Sequence, residues 1–103
     1  MSQIQIKTLQ HEEEPLIDVR GLWVSSALDS LIKAFQKSVP KVKSMLFMRM
    51  AELDYLDSAA LGVIMFNMNE LSKRKARLII LEPSIEMRDI LHTASLDKVL
   101  EIR

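Results

Sequence analysis

Tyr55-Leu56-Asp57-Ser58-Ala59-Ala60-Leu61-Gly62-Val63-Ile64-Met65 places a hydroxyl at the mouth of a helix, directly behind a run of loop carboxylates. Asp57 or Ser58 can accept the unpaired backbone N–H groups of a first helical turn, so the stretch marks a helix start. A phosphate on that hydroxyl would lie at the positive end of the helix dipole. The helix is expected from about Ser58 to Lys73, with Leu61, Ile64, Met65, Met68 and Leu71 on the side that faces a sheet. Ala59, Val63, Phe66 and Glu70 fall on the opposite side. Val63 and Phe66, next to Ser58, form a docking patch for another polypeptide in this reading. Immediately upstream, Met45-Leu46-Phe47-Met48-Arg49-Met50 is nearly continuous apolar sequence, the pattern of a strand buried on both faces.

Outward from this core, Ile4, Ile6 and Thr8 alternate with polar residues and predict a short strand. His11-Glu12-Glu13-Glu14-Pro15 reads as a polar, solvated turn, and Leu16 to Val24 as a second strand pairing antiparallel with the first. Gly21 inside that run marks a bulge or a close backbone approach. Ser25 and Ser26 are candidate caps of a first helix, whose apolar stripe is Leu28, Leu31, Ile32, Phe35 and Val39 and which Pro40 ends. Arg77 to Leu81 is another buried strand. Ser84 caps a third helix with Met87, Ile90, Leu91 and Ala94 inward, and Val99 to Ile102 is a last short strand. Helices and strands alternate after the hairpin, so the connected strands are expected parallel, in a sheet covered by helices.

The totals exclude several function classes. With 103 residues the chain is expected to be one domain, and 49% apolar with 27% charged residues is ordinary for a soluble globular protein. Lysine plus arginine equals aspartate plus glutamate at 14 each, and no basic stripe interleaved with aromatics is present, which argues against direct nucleic-acid binding. There is no cysteine, hence no disulfide, thiolate metal site or cysteine nucleophile. The N-terminal residues lack signal-peptide character and no run approaches the roughly 20 apolar residues of a membrane span, so a cytoplasmic protein without membrane insertion is expected. The two glycines cannot build a phosphate loop, and Ser58 has no histidine or lysine nearby in sequence to act as its base. His11 and His92 fit no metal spacing. The expectation is a non-enzyme with no cofactor and no metal.

Asp57-Ser58-Ala59-Ala60-Leu61-Gly62-Val63-Ile64 resembles the Asp-Ser-Ser-Gly-Leu-Gly signature of STAS domains, the family of bacterial anti-sigma factor antagonists. A second matching stretch is Leu78-Ile79-Ile80-Leu81-Glu82-Pro83-Ser84-Ile85-Glu86-Met87-Arg88-Asp89-Ile90-Leu91, continuing through Leu96-Asp97-Lys98-Val99-Leu100. The resemblance implies a single STAS domain over residues 1–103, an α/β fold with a mixed, mostly parallel sheet of about four to five strands and three main helices. It implies that Ser58 is phosphorylated by a partner serine kinase that is itself the anti-sigma factor, and that a PP2C-type phosphatase resets it. Asp57, Ala59, Gly62, Val63 and Phe66 are the implied partner contacts. A second role the resemblance allows is that of a small subunit bound to the ATPase of a membrane (phospholipid, ABC-type) transport assembly. A weak nucleotide-binding role is a third, with no phosphate loop to support it. Three positions depart from the family pattern. Ala60 replaces a glycine, which is expected to limit how closely a partner backbone approaches; Arg49 stands near a frequent aspartate; and Ser95 replaces a glycine before Leu96-Asp97.

Overall fold

The computed structural model describes residues 3–103. Strands β1 (Gln5–His11) and β2 (Glu14–Arg20) form an antiparallel hairpin with Leu9 opposite Leu16 and His11 opposite Glu14. Only Glu12 and Glu13 lie in the turn, both at positive φ (53° and 65°), the handedness whose twist matches that of the flanking strands. The expected five-residue turn is therefore two residues long. Glu14 is not solvated, as the polar run had suggested, but 5% exposed. Its carboxylate accepts from Lys43 N at 2.9 Å, Ser44 N at 2.8 Å, Ser44 Oγ at 2.8 Å and Met45 N at 2.8 Å, which ties the start of β2 to the loop that enters the next strand.

A 3-10 turn, Ser25–Ala27, leads into α1 (Leu28–Ser38), and no side chain caps it. Ser25 and Ser26 lie inside the 3-10 turn, so neither hydroxyl occupies the capping position that their spacing suggested. A second 3-10 turn, Val39–Lys41, holds Pro40 and ends the helical segment. Then follow β3 (Met45–Arg49), α2 (Ser58–Lys73), β4 (Arg77–Leu81), α3 (Ile85–Thr93) and the two-residue β5 (Glu101–Ile102). The sheet runs β1-β2-β3-β4-β5 in chain order, and every pair after the first is parallel. Ser84 caps α3 as expected, its hydroxyl accepting from Met87 N at 3.1 Å. Ala94, expected inward, is exposed because α3 stops at Thr93. Arg74 does not simply end α2: its guanidinium donates to Val39 O and Val42 O at 2.9 and 3.0 Å, tying α2 to the segment before β3.

Alternation along the strands divides the core unequally. Ile17, Val19, Leu46, Met48, Leu78 and Ile80 pack with buried residues of all three helices, including Leu31, Phe35, Ile64, Leu71, Met87 and Leu91. Leu16, Phe47, Ile79 and Leu81 form a second cluster with Met45, and no helical residue joins it. The expectation of a sheet covered by helices thus holds on one face only. β3 is buried on both sides, but on the second side the cover comes from neighbouring strand side chains. The His11 ring stands edge-on to Phe47 with centroids 4.6 Å apart, and Arg77 reaches Met45 Sδ at 3.4 Å. Long charged side chains can lay their stems over apolar surface in this way while the head stays in water.

Candidate functional site

Three loops follow the carboxyl ends of the parallel strands, the position where open α/β sheets commonly present their binding sites. They are residues 21–24 after β2, 50–57 after β3 and 82–84 after β4. Hydrogen bonds join them into one unit. Gly21 N donates to Glu52 O at 2.9 Å, Trp23 N to Asp54 Oδ1 at 3.2 Å, Ser84 N to Met50 O at 3.0 Å and Ser84 Oγ to Leu53 O at 2.5 Å. Gly21 is required here: its φ is 104°, and a Cβ would run into the backbone of Gln3, which is the close approach its place in the strand suggested.

At the centre of this unit α2 begins. Asp57, not Ser58, is the cap: its Oδ1 accepts from Ala60 N at 2.9 Å, while its Oδ2 accepts from the Trp23 indole Nε1 at 3.0 Å. The indole, followed by the Ala60 N–H, holds the Asp57 carboxyl below the usual carboxylate range. Ser58 is the first helical residue and is exposed, and no hydrogen bond to another described residue engages its hydroxyl. The cap and the free hydroxyl are thus separate residues. The other two loop carboxylates are also engaged, Glu52 with Arg20 Nη1 at 2.6 Å and Asp54 with Trp23 N.

Down the outer side of α2, Ala59, Gly62, Val63 and Phe66 line one open groove of about 410 Å³, closed on its far side by Ile32 and Gln36 of α1 and at its end by Asn67. Phe66 is 63% exposed. Val63 is half-buried and touches the core with part of its side chain. The structure therefore brings the implied contacts Ala59, Gly62, Val63 and Phe66 together beside Asp57 and Ser58. Ala60 is different: it is fully buried, so the methyl that replaces a family glycine packs inward and does not meet an approaching backbone. Arg49 is not at the helix mouth either, since its Nε donates to Asp18 Oδ1 at 3.0 Å on the helix-free face of the sheet.

Several residues of the site were not found from sequence. Ile32 and Gln36 needed the α1–α2 packing, and Trp23 needed the crossing of the loops after β2 and β3. Val24, Tyr55 and Ile85, one on each loop or at the helix start beyond it, are exposed large apolar residues at the same end of the sheet. Among the described residues no cluster of three potential metal ligands exists, and no helix is long and apolar enough to cross a membrane.

Residues 5–103 match the STAS domain family. The chain belongs to that family. No curated protein sequence matches it closely enough to add a relative. Solved structures match this STAS domain in fold. An anti-sigma factor antagonist from Mycobacterium paratuberculosis superposes with a TM-score of 0.83 at 18% identity, covering 97% of this chain and 85% of that one. The anti-sigma factor antagonist SpoIIAA in its unphosphorylated form gives 0.77 at 19% identity, covering 98% and 88%. The Bacillus cell fate determinant SpoIIAA in its phosphorylated form gives 0.70 at 20% identity, covering 98% and 91%.

Proposed function

We propose that this STAS domain is an anti-sigma factor antagonist of the cytoplasm. Its unmodified form binds a serine-kinase anti-sigma factor through the α2 groove and the mouth of the helix, and phosphorylation of Ser58 releases it, so that transcription is regulated indirectly. A PP2C-type phosphatase restores the binding form. The observation that carries this reading is the free hydroxyl of Ser58, exposed at the first position of α2 while Asp57 does the capping. The similarity to SpoIIAA, known in phosphorylated and unphosphorylated forms, supports it.

The energies favour control of an interface over control of the fold. A phosphate adds about −1.5 to −2 charges near neutral pH. The helix N-terminus favours that charge by roughly 0.3–1 kcal/mol, and the neighbouring carboxylates oppose it. These effects partly cancel, and since the cap is not Ser58, modification need not open α2. Desolvating the same phosphate unpaired beneath a partner costs several kcal/mol, and each ~1.4 kcal/mol is a tenfold loss of affinity. Asp57, Ala59, Gly62, Val63 and Phe66 are the proposed contacts, with Tyr55 and Val24 at the rim.

The test is affinity capture with wild type and Ser58→Asp, with the partner identified by mass spectrometry and then rebound as purified protein. The expected result is a kinase-like partner that phosphorylates Ser58 and that Ser58→Asp fails to bind, with an unchanged circular dichroism spectrum. Equal binding by both forms overturns the switch. Recovery of an ABC-type ATPase in its place assigns the chain to a transport assembly.

A further inference from the structure

Strand β1 is an edge of the sheet, with β2 on one side and no strand on the other. The hairpin decides which groups that edge presents. Across a two-residue turn the flanking pair, here His11 and Glu14, exchanges both backbone bonds, and bonded and non-bonded pairs alternate from there along the ladder. Gln5, Lys7 and Leu9 therefore aim their N–H and C=O groups at β2, while Ile6, Thr8 and Gln10 aim theirs outward. Among the described residues no loop, helix or side chain bonds to those outward groups. Helix α1 packs on both β1 and β2, so it lies over the strands and leaves the edge open. Natural sheets close such edges with proline, bulges, short strands or several charges. β1 is seven residues long, pairs with β2 unbroken from Gln5 to His11 and has no proline, and Lys7 is its only lysine, arginine or carboxylate.

We infer that β1 pairs antiparallel with β1 of a second copy of this chain, about a two-fold axis at Thr8. The strand is complementary to itself in that register. Its outward residues are symmetric about Thr8: Ile6 meets the partner's Gln10, Thr8 meets the partner's Thr8, and Gln10 meets the partner's Ile6. Each pair exchanges two backbone hydrogen bonds. On the helix-free face Lys7 stands opposite the partner's Leu9, so like charges do not face each other. The right-handed strand twist draws the two Leu9 side chains, diagonal neighbours across the axis, together and splays the two lysines apart. Leu9 is 44% exposed in the single chain, so this contact has apolar surface left to bury. On the helix side Thr8 against Thr8 is a favourable cross-strand pair.

Neighbouring registers are poorer. An axis at Lys7 sets two lysines directly opposite each other. An axis at Leu9 brings Ile6 against the partner's Glu12, whose φ of 53° has already left the strand. In the Thr8 register the five-stranded sheet and its copy become one continuous sheet with both helical layers on the same face. The two α2 mouths then lie at opposite ends, so neither covers the other, and the inference does not depend on Ser58.

The test is sedimentation of the full chain from micromolar to millimolar concentration, with amide hydrogen exchange at each step. The expected result is a mass that rises from 11.8 kDa toward twice that value. Exchange at Ile6, Thr8 and Gln10 should slow with concentration, while Lys7 and Leu9, already bonded to β2, should not change. Thr8→Pro removes an outward N–H and no bond to β2, the placement proline tolerates on an edge strand. Leu9→Lys sets like charges across the axis without touching the backbone. Each should weaken self-association at least tenfold with an unchanged circular dichroism spectrum, and Ser58→Asp should associate as wild type does. Should Thr8→Pro lose its fold, Leu9→Lys decides alone. A monomer at every concentration, undiminished association of Leu9→Lys, or concentration-dependent protection confined to α1 or α2 would each overturn the inference.

Discussion

Replacing Glu14 by glutamine removes the charge from the most heavily hydrogen-bonded carboxylate among the described residues. Burial alone would raise its pKa, but the N–H of Lys43, the hydroxyl and N–H of Ser44 and the N–H of Met45 outweigh that and hold it at about 2, against an ordinary 4.5. The folded form thus binds the proton more weakly than the unfolded form. The stabilisation is complete above about pH 4.5 and is lost as pH falls from there toward about 2. A difference of that size corresponds to about 3 kcal/mol at 1.36 kcal/mol per unit. Glutamine keeps the shape but sets an NH2 group in place of one oxygen, at best the one facing the Lys43 N–H, and removes the charge from the other, so Glu14→Gln should lose about 2–3 kcal/mol at neutral pH, within the usual cost of an unsatisfied buried group. The assay is urea unfolding of both proteins at intervals between about pH 7 and pH 3, reading the midpoint at constant m. The wild-type midpoint should fall on acidification more steeply than that of the variant, and the two curves should converge. Parallel curves would show that Glu14 is protonated alike in folded and unfolded chains and would refute the clamp. Partner capture per folded molecule should be unaffected, since Glu14 sits at the starting end of β2 and the helix mouth lies beyond the other.

Gly62 has open space where a Cβ would be, so Gly62→Ala should raise the stability of α2 by about 0.5–1 kcal/mol and the melting temperature by several degrees. The added methyl enters the proposed groove, so the same variant should bind the partner less tightly in a pull-down titration. Trp23→Phe removes the indole donor from Asp57, whose pKa should rise toward its ordinary value in a carbon-detected titration, with faster amide exchange at Ala60. Ser95 holds φ at 60°, the left-handed region that suits the glycine it replaces, so Ser95→Gly should raise the urea midpoint by the equivalent of roughly 1 kcal/mol with m unchanged.

The features legible in the sequence were those with local causes. Period and capping placed α2 at Ser58–Lys73 and the cap of α3 at Ser84, and the apolar run at Arg77–Leu81 is β4. Gly21 announced a tight approach because no other residue tolerates φ near 104° against the Gln3 backbone. What remained hidden depends on partners distant in sequence. Glu14 looks solvated beside Glu12 and Glu13, and only the entry loop of β3, some thirty residues on, turns it into a clamp. The strand β3 reads correctly as buried on both faces, yet burial does not say by what, and on the Phe47 side a histidine edge and strand neighbours replace the expected helix. Ala60 was assigned to the partner side by motif position, whereas its spacing to Ile64 and Leu71 puts it in the core. The implied contact set, by contrast, came together because Ala59, Gly62, Val63 and Phe66 follow one helical stripe, and only its α1 wall was missing.

The division of labour between Asp57 and Ser58 is what gives the proposed switch its physical sense. A serine that caps a helix must remake its contacts to the first-turn N–H groups when it takes a phosphate, and a cap is worth about 1 kcal/mol. In that arrangement modification and folding would be coupled, and part of the phosphate's effect would be spent on the helix. Here the cap is a carboxylate fixed from behind by the Trp23 indole, so the next residue can change its charge while the first turn keeps its hydrogen bond to Ala60. Trp23, on the loop after β2, therefore matters to the proposed switch without needing to touch the partner: it keeps the Asp57 carboxylate aimed at the first turn. If Trp23→Phe left capture by unmodified protein intact but made the Ser58→Asp form lose helix signal, the indole would be the element that separates charge at Ser58 from the stability of α2. If both variants kept the same helix content, the cap would hold without its support, and Trp23 would be a packing residue only.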